Sequence, residues 1–277
     1  MLKKRLIFTL LYNEGHFMLS RNFRLQKVGD LHWLKSNYNF SHISFSIDEL
    51  IVLDVTRGER NAVAFCEALK SLTEGCFVPI AAGGGVRTTD QARILLRSGA
   101  DKVVVNTPLF ENETLIEELA SEFGQQCVVG SVDIKRDING EYQVWSDSGS
   151  QCVEGSAAQS IADVIKKPFG EIYLNSMDRD GTGQGYDLHL LDLLPNVMPK
   201  PVILAGGVGN AIHLAEGIAD HRVDAVATAN LFNFVGDGLK QARQSLIERG
   251  VDLPVWDIQL LEKHLRSNKT ADAYQHD

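Results

Sequence analysis

The sequence has few of the features that mark membrane, disulfide-linked or nucleic-acid-binding proteins. No apolar run reaches the roughly 18 residues that span a bilayer, and the short apolar stretch 6–12 is followed by no small-residue cleavage site of a signal peptide. The four cysteines are scattered without CxxC or metal-ligand spacing, which indicates reduced thiols in a cytosolic protein and predicts no metal site. With 27 Lys and Arg against 36 Asp and Glu, the net charge of −9 argues against a nucleic-acid partner.

The chain also lacks a glycine-rich dinucleotide turn after its first predicted strand, which disfavours a doubly wound open sheet. What it does have is an alternation of short apolar runs with helix-like patterns, repeated about eight times over about 250 residues, which is typical of a (β/α)8 barrel. The predicted strands are 5–11, 49–53, 78–82, 102–105, 127–133, 171–174, 202–205 and 224–228, and the clearest predicted helices are 61–72, 89–97, 113–123, 157–165, 188–194 and 211–219.

Three short segments recur at an offset of 122 or 123 residues, which predicts a barrel built from two tandem halves. Segment 82–86 (AGGGV) has an echo at 205–208 (AGGV), segment 98–103 has a weaker one at 222–226, and 48–51 resembles 170–173. We therefore expect one barrel domain over residues 1–254. Residues 255–277 form a C-terminal extension, for which we predict a partly amphipathic helix with a frayed end.

In each half, the strand ends carry one glycine turn and one polar turn. These turns lie at the barrel mouth, which is the opening at the carboxyl ends of the strands. The pattern predicts two phosphate sites on opposite sides of this mouth. Glycine lets backbone N–H groups approach an anion, and a following helix N-terminus favours negative charge. The alternative is that these glycines only make tight turns. The candidate ligand-binding residues are Gly84, Gly85, Asn106, Thr107, Gly206, Gly207, Ala229 and Asn230, together with Asp180 and Gly181 in the polar loop after the sixth strand.

Carboxylates also follow several strands. Asp133 ends the fifth predicted strand, where partial burial would raise its pKa and suit it to general acid–base chemistry; alternatively it orients a loop. Asp54 ends the second strand, and Asp178 either binds ligand or pairs with Arg179. Subtracting the offset of 122 from Asp133 gives Leu11, so the first half has no matching acid.

Four charged residues, Arg5, Glu49, Lys102 and Glu171, begin predicted strands at the opposite end of the barrel. Each lies an even number of residues from a mouth-end position, so the charge and that position share one face of the strand. Two positive and two negative side chains could close the bottom of the barrel as a neutral ring. The alternative is that they face solvent, since buried charges are costly unless paired.

Together these motifs resemble the cyclase subunit of imidazole glycerol phosphate synthase. The likeness rests on the N-terminal MLKKR, on GGG at 83–85, on GADKV at 99–103, on VDIKR at 132–136 and on DRDGT at 178–182. The resemblance implies a cytosolic barrel that binds a glutaminase subunit as a heterodimer at its amino-terminal face. Ammonia then passes through the barrel to a bisphosphorylated ribulosyl substrate, without metal or organic cofactor. By this likeness the four charges match the family's ammonia gate, and Asp101 matches a glutaminase-docking residue.

Three positions depart from the family pattern. The essential aspartate of the first strand is replaced by Leu11, the lysine of the mobile first loop by Leu19, and the usual threonine of the sixth strand by Asn175. A leucine cannot transfer a proton, and loss of one acid–base group typically costs about 10²–10⁴-fold in rate. Asp133, the other catalytic acid, remains.

An intact delivery path with an incomplete cyclase site is similar to the paralogues found with surface-polysaccharide genes. This likeness implies that the barrel and its glutaminase supply ammonia to a separate sugar amidotransferase, and this is the leading hypothesis. Two others stay open. One is a genuine cyclase of histidine biosynthesis that recruits Glu14 or Asp54, and the other is a non-catalytic scaffold for a glutaminase.

Overall fold

A computed structural model describes residues 3–38, 43, 45–74 and 76–255. The predicted (β/α)8 barrel is confirmed: eight parallel strands pair in chain order, and the last pairs with the first to close the ring. The barrel strands are β1 (Arg5–Asn13), β4 (Glu49–Asp54), β5 (Ile80–Gly83), β6 (Lys102–Val105), β7 (Val128–Arg136), β10 (Glu171–Ser176), β11 (Val202–Ala205) and β12 (Ala225–Thr228). From position 256 onward the C-terminal extension lies outside the described residues, so its predicted helix stays a prediction.

Helices cover the outside of the barrel, and most begin at a side chain that caps the first turn. Asn61, Asn112, Ser156 and Asn210 each accept a backbone N–H of the helix that follows, and Thr88 forms a full capping box. The helices are α1 (Leu31–Asn37), α2 (Ala62–Thr73), α3 (Thr89–Arg97), α4 (Pro108–Glu111), α5 (Glu113–Phe123), α6 (Ala157–Ile165), α7 (Ala211–Ala219) and α8 (Gly238–Glu248). The segments Gln125–Cys127 and Leu188–Leu193 are 3₁₀ helices.

Within the part of the chain that the structure describes, no helix is both long and apolar enough to cross a membrane.

The strands bury both faces, because alternate side chains point into the barrel and out towards the helices. In β1, Leu6, Phe8 and Leu10 pack in the cluster beneath the helices, whereas Ile7 belongs to a second cluster inside the barrel. The inner cluster is rich in small residues, among them Ala81 and Ala225. The barrel interior is therefore apolar between its two polar ends.

Two antiparallel hairpins extend the barrel at its mouth, and the apolar pattern did not predict them. Strands β2 (His16–Arg21) and β3 (Arg24–Gly29) follow β1, and β8 (Tyr142–Ser146) and β9 (Gln151–Cys152) follow β7. Their tight turns place pairs of non-glycine residues at positive φ, Asn22 with Phe23 and Asp147 with Ser148. We refer to β2 and β3 as the first hairpin.

A buried ion pair joins the last helix to the bottom of the barrel. Arg243 of α8 donates from both terminal nitrogens to the two carboxylate oxygens of Asp48, each at 2.9 Å, and the Leu6 N–H donates to the same carboxylate at 2.8 Å. Both side chains are almost fully buried. Removing one partner would leave an unpaired charge inside the protein.

We predict that Arg243→Met lowers the free energy of unfolding by about 3–5 kcal/mol, the usual cost of leaving a buried charge unpaired. Urea denaturation followed by circular dichroism measures this. The matched control is Arg97→Met on the exposed side of α3, for which we expect a change below about 0.5 kcal/mol. Equal effects of the two substitutions would contradict the stabilising role of the pair.

Candidate functional site

A cavity of about 440 Å³ opens at the carboxyl ends of the barrel strands. The ligand-binding and catalytic residues predicted from the sequence all line it: Gly84, Gly85, Asn106, Thr107, Asp133, Asp180, Gly181, Gly206, Gly207, Ala229 and Asn230. The three departures from the family pattern, Leu11, Leu19 and Asn175, line it as well. Sequence positions spread over more than 200 residues therefore meet in one pocket, as expected for the active face of a barrel.

The two glycine turns lie after β5 and β11, in matching positions of the two halves. Gly84, Gly85, Gly206 and Gly207 all have φ between 70° and 108°, a region that disfavours other residues. A side chain on Gly84 would collide with the Asp54 carbonyl, and one on Gly207 would collide with the Gly185 carbonyl. Close backbone packing thus accounts for glycine at these positions, and phosphate binding there stays a prediction.

Asp133 is held at the centre of the cavity by two amides from neighbouring strands. Asn175 lies beside it in β10 and donates from Nδ2 to Oδ1 at 2.9 Å, while Asn106 donates from Nδ2 to Oδ2 at 3.3 Å. Burial raises the pKa of Asp133 to about 7, with the nearby Asp180 charge contributing and the Asn175 bond opposing. Its carboxyl group can therefore accept or release a proton near neutral pH, as a general acid or base requires.

Asp180 fastens the first hairpin across the mouth. Its carboxylate accepts hydrogen bonds from the Ser20 hydroxyl and, at 3.0 Å, from the Phe23 N–H, and its carbonyl accepts the Asn22 N–H at 2.9 Å. A side chain on Gly181 would collide with the Ser20 carbonyl, so glycine lets the hairpin close. The structure thus gives Asp180 and Gly181 a role in hairpin closure, and direct ligand contact by them stays a prediction.

The adjoining loop residues do not form the pair considered in the sequence analysis. Asp178 accepts the Arg136 N–H at 2.7 Å, and Arg179 instead donates to Gln184, at 3.3 Å to its side chain. Their contacts order the loop that carries Asp180.

No second acid stands where the family has one. Leu11 is buried and lies beside Leu53 of β4, and Leu19 of the first hairpin lines the same cavity, so apolar side chains occupy the positions around the end of β1. Glu14 is exposed at a turn and is not part of the cavity lining. Asp54 does line the cavity, but its Oδ1 already accepts the Thr56 N–H at 3.0 Å.

The four charges at the start of the strands form a closed ring at the bottom of the barrel. Arg5 bonds to Glu49 at 3.0 Å and to Glu171, and Lys102 bonds to Glu49 at 2.9 Å and to Glu171. Both carboxylates are buried, so the alternative that these side chains face solvent is wrong.

The pKa values of the ring's two carboxylates are shifted in opposite directions. Burial raises the pKa of Glu49, against the effect of Lys102, whereas for Glu171 the bonds with Arg5 and Lys102 overcome burial and lower the pKa. One oxygen of Glu49, Oε1, is buried without a hydrogen-bond partner. The barrel interior is apolar immediately beyond the ring. Ile7 and Val104, two residues after Arg5 and Lys102 in their strands, belong to the apolar cluster inside the barrel.

Asp101, the predicted docking residue, is exposed at the start of β6. Its carboxylate accepts the Ile80 N–H at 2.8 Å, and Asp224 accepts the Val202 N–H at 2.9 Å in the same way. The repeated contact follows the offset of 122 or 123 residues between the halves. Asp101 therefore fixes the start of β5, and its docking role stays a prediction.

Sequence reasoning missed a group of arginines at the mouth. Arg57 and Arg60 lie in the loop after β4 and line the cavity. The sequence signal that could have revealed this group is the presence of two arginines within four residues in the loop that follows one strand.

We predict that Asp133→Asn raises the free energy of unfolding at pH 8 by about 1–3 kcal/mol and changes it little at pH 4. An unfolded aspartate ionises near pH 4, whereas Asp133 in the folded protein keeps its proton to about pH 7. The folded state therefore binds the extra proton between these values, and the stability of the native protein falls as the pH rises through them. Urea denaturation at both pH values tests this.

The matched control is Asp163→Asn on α6, an exposed carboxylate whose pKa is lowered by Lys166. It should not show the gain at pH 8. An equal loss of stability for Asp133→Asn at both pH values would contradict the raised pKa.

Comparison with known proteins agrees with this geometry. A family model described as "Histidine biosynthesis protein" matches residues 33–236. A protein of Parasynechococcus marenigrum (strain WH8102), named "Putative imidazole glycerol phosphate synthase subunit hisF2", is 48% identical over 244 residues, covering 88% of this chain and 90% of the relative. The chain belongs to the histidine-biosynthesis barrel family and is similar within it to the cyclase subunits of imidazole glycerol phosphate synthase.

Proposed function

We propose that this protein is the ammonia-receiving barrel of a two-subunit glutamine amidotransferase, and that it supplies the ammonia for amidation of a sugar in surface-polysaccharide (O-antigen) synthesis. The observation that carries the proposal is the pairing of a complete charged ring at the bottom with an incomplete acid–base site at the mouth. The apolar interior above the ring is suited to passing a small neutral molecule rather than an ion. Ammonia fits this description, and ammonium does not.

The mouth supports an acceptor other than the cyclase substrate. Two acid–base groups acting on opposite sides of a substrate need two titratable side chains, and the wall facing Asp133 is formed by Leu11 and its apolar neighbours. In the proposal, Asp133 keeps a single proton-transfer or positioning role. The duplicated glycine turns would bind a phosphorylated small molecule.

The amino-terminal face supports a partner subunit. Phe77 is 42% exposed there and packs edge-to-face against the buried Phe45 with ring centroids 4.9 Å apart, and Asp101 is exposed at the start of β6. Exposed aromatic side chains are enriched at protein interfaces. We propose that a glutaminase binds this face as a heterodimer, that a sugar amidotransferase acts next to the mouth, and that the assembly is cytoplasmic.

A second candidate is a genuine imidazole glycerol phosphate synthase cyclase. It is favoured by the 48% identity to a relative whose name carries that activity and by the retention of Asp133. A third candidate, a scaffold that binds a glutaminase without conducting ammonia, would leave the buried charged ring without a role.

The route of ammonia is tested by isotope competition in the assembled complex of barrel, glutaminase and sugar amidotransferase. Glutamine labelled with ¹⁵N in its amide is supplied together with excess unlabelled ammonium. We expect the aminated product to carry mostly ¹⁵N, because ammonia from glutamine travels inside the barrel.

Lys102→Met breaks the ring, and we expect it to lower glutamine-dependent product formation at least about tenfold while ammonium-dependent formation persists. Loss of one positioned group in such a pathway typically costs about 10²-fold. Lys240→Met, on α8 away from the ring, is the matched control, and thermal melting shows whether each variant is folded. Unchanged glutamine-dependent formation in Lys102→Met would favour the scaffold.

A further inference from the structure

Five arginine side chains line the mouth cavity around the first-half glycine turn. Two come from the first hairpin, two from the loop after β4, and one from the turn after β5. They are Arg21, Arg24, Arg57, Arg60 and Arg87, and we call them the arginine cluster. Beside the second-half glycine turn the cavity lining includes Asn230 and Asn233 but no lysine or arginine, so among the lining residues the positive charge is confined to one side.

Arg60 lies directly against the glycine turn. Its guanidinium fills the space that a side chain on Gly85 would occupy, with Nη1 2.7 Å from the position of that Cβ. Its Nε is buried and has no hydrogen-bond partner, and the nearest carboxylate oxygen, on Asp54, is 3.9 Å away. A buried N–H without an acceptor is costly, and an anionic ligand at the turn would supply one.

The other four arginines have little negative charge to balance them. Arg87 makes one long contact with Asp147 at 3.5 Å, between two side chains that are each almost half exposed. Arg57 donates to the Phe23 carbonyl at 2.8 Å, a neutral acceptor that anchors the first hairpin. In the part of the chain that the structure describes, the Arg21 and Arg24 side chains make no hydrogen bond or ion pair.

We propose that the arginine cluster binds a diphosphate group, so that the ligand of this cavity carries a diphosphate on its first-half side. Five guanidinium groups face three carboxylates at this side of the cavity: Asp54, Asp147 and Asp180, the last of which is already bonded to the first hairpin. A single phosphate monoester carries only about −1.5 to −2 at neutral pH. Guanidinium forks match pairs of phosphate oxygens, and two linked phosphates offer several such pairs. The inference rests on the proposed function only in taking this cavity as the ligand site.

Isothermal titration of the full chain at constant ionic strength tests this with inorganic pyrophosphate and inorganic phosphate as probes. We expect pyrophosphate to bind at least about 30-fold more tightly than phosphate, since each additional charge-assisted contact is worth about tenfold. A nucleoside diphosphate and a nucleoside-diphosphate sugar form two further arms. They distinguish a terminal diphosphate from one esterified at both ends.

Arg60→Gln should lower pyrophosphate affinity at least about tenfold and phosphate affinity less, because it removes charge but not the glycine turn. Arg24→Gln breaks no contact within the described structure and should also weaken pyrophosphate, which keeps the test decisive if Arg60→Gln does not fold. Arg97→Gln, outside the cavity, is the control. Equal affinities for the two probes, or equal effects of the Arg24 and Arg97 substitutions, would overturn the inference.

Failure here is separate from failure of the proposed function. If isotope competition still shows ammonia passing through the barrel while pyrophosphate has no advantage over phosphate, only the diphosphate assignment falls.

Discussion

Four largely buried charged side chains at one end of a barrel are stable only if each meets the opposite charge on both sides. Arg5, Glu49, Lys102 and Glu171 satisfy this condition as a closed ring, because the closed barrel brings their four strand starts together at the same end. A hydrophobic plug of similar volume would close the barrel at no desolvation cost. Four charges stand where apolar residues would suffice, and this is the physical reason to assign the ring a function.

At the mouth, by contrast, an apolar residue stands where the family pattern leads one to expect an acid. Asp133 is kept protonatable near neutral pH by burial and oriented by the amides of Asn106 and Asn175, but the wall across the cavity has become apolar. The first hairpin still closes over this cavity through Asp180, so the mouth remains shielded although its second carboxylate is gone. The charged ring, the hairpin closure and the arginine cluster are all present, whereas a second acid facing Asp133 from β1 is not. This combination fits a barrel that passes ammonia onward better than one that completes a cyclisation.

Much of this arrangement could be predicted, because in a barrel the spacing of residues along the chain determines where they lie. The approximate strand starts and ends followed from eight apolar runs. The even spacing from Arg5, Glu49, Lys102 and Glu171 to mouth positions put each pair on one face of its strand, and the structure shows that this face is the interior. The three recurring segments, the glycine turns among them, predicted two matching halves, and the structure adds the matched strand-start contacts of Asp101 and Asp224.

The remainder depended on contacts between distant loops. The first hairpin is held by Asp180, about 160 residues further along the chain, and no local pattern encodes that contact. The arginine cluster gathers residues from three loops, so no single stretch of sequence shows its density of charge. The turn at Asn22 and Phe23 adopts positive φ in non-glycine residues, which removed the usual glycine signal for the first hairpin.

The most direct measurement is cyclisation of the bisphosphorylated ribulosyl substrate by the purified chain with saturating ammonium salt, beside a Leu11→Asp variant. Ammonium bypasses the glutaminase, so the result depends only on the chemistry at the mouth. We predict no turnover by the unmodified chain, because no acid faces Asp133 across the cavity. Turnover by the unmodified chain, not increased by Leu11→Asp, would contradict the sugar-amidation assignment and identify a cyclase that works with a single carboxylate.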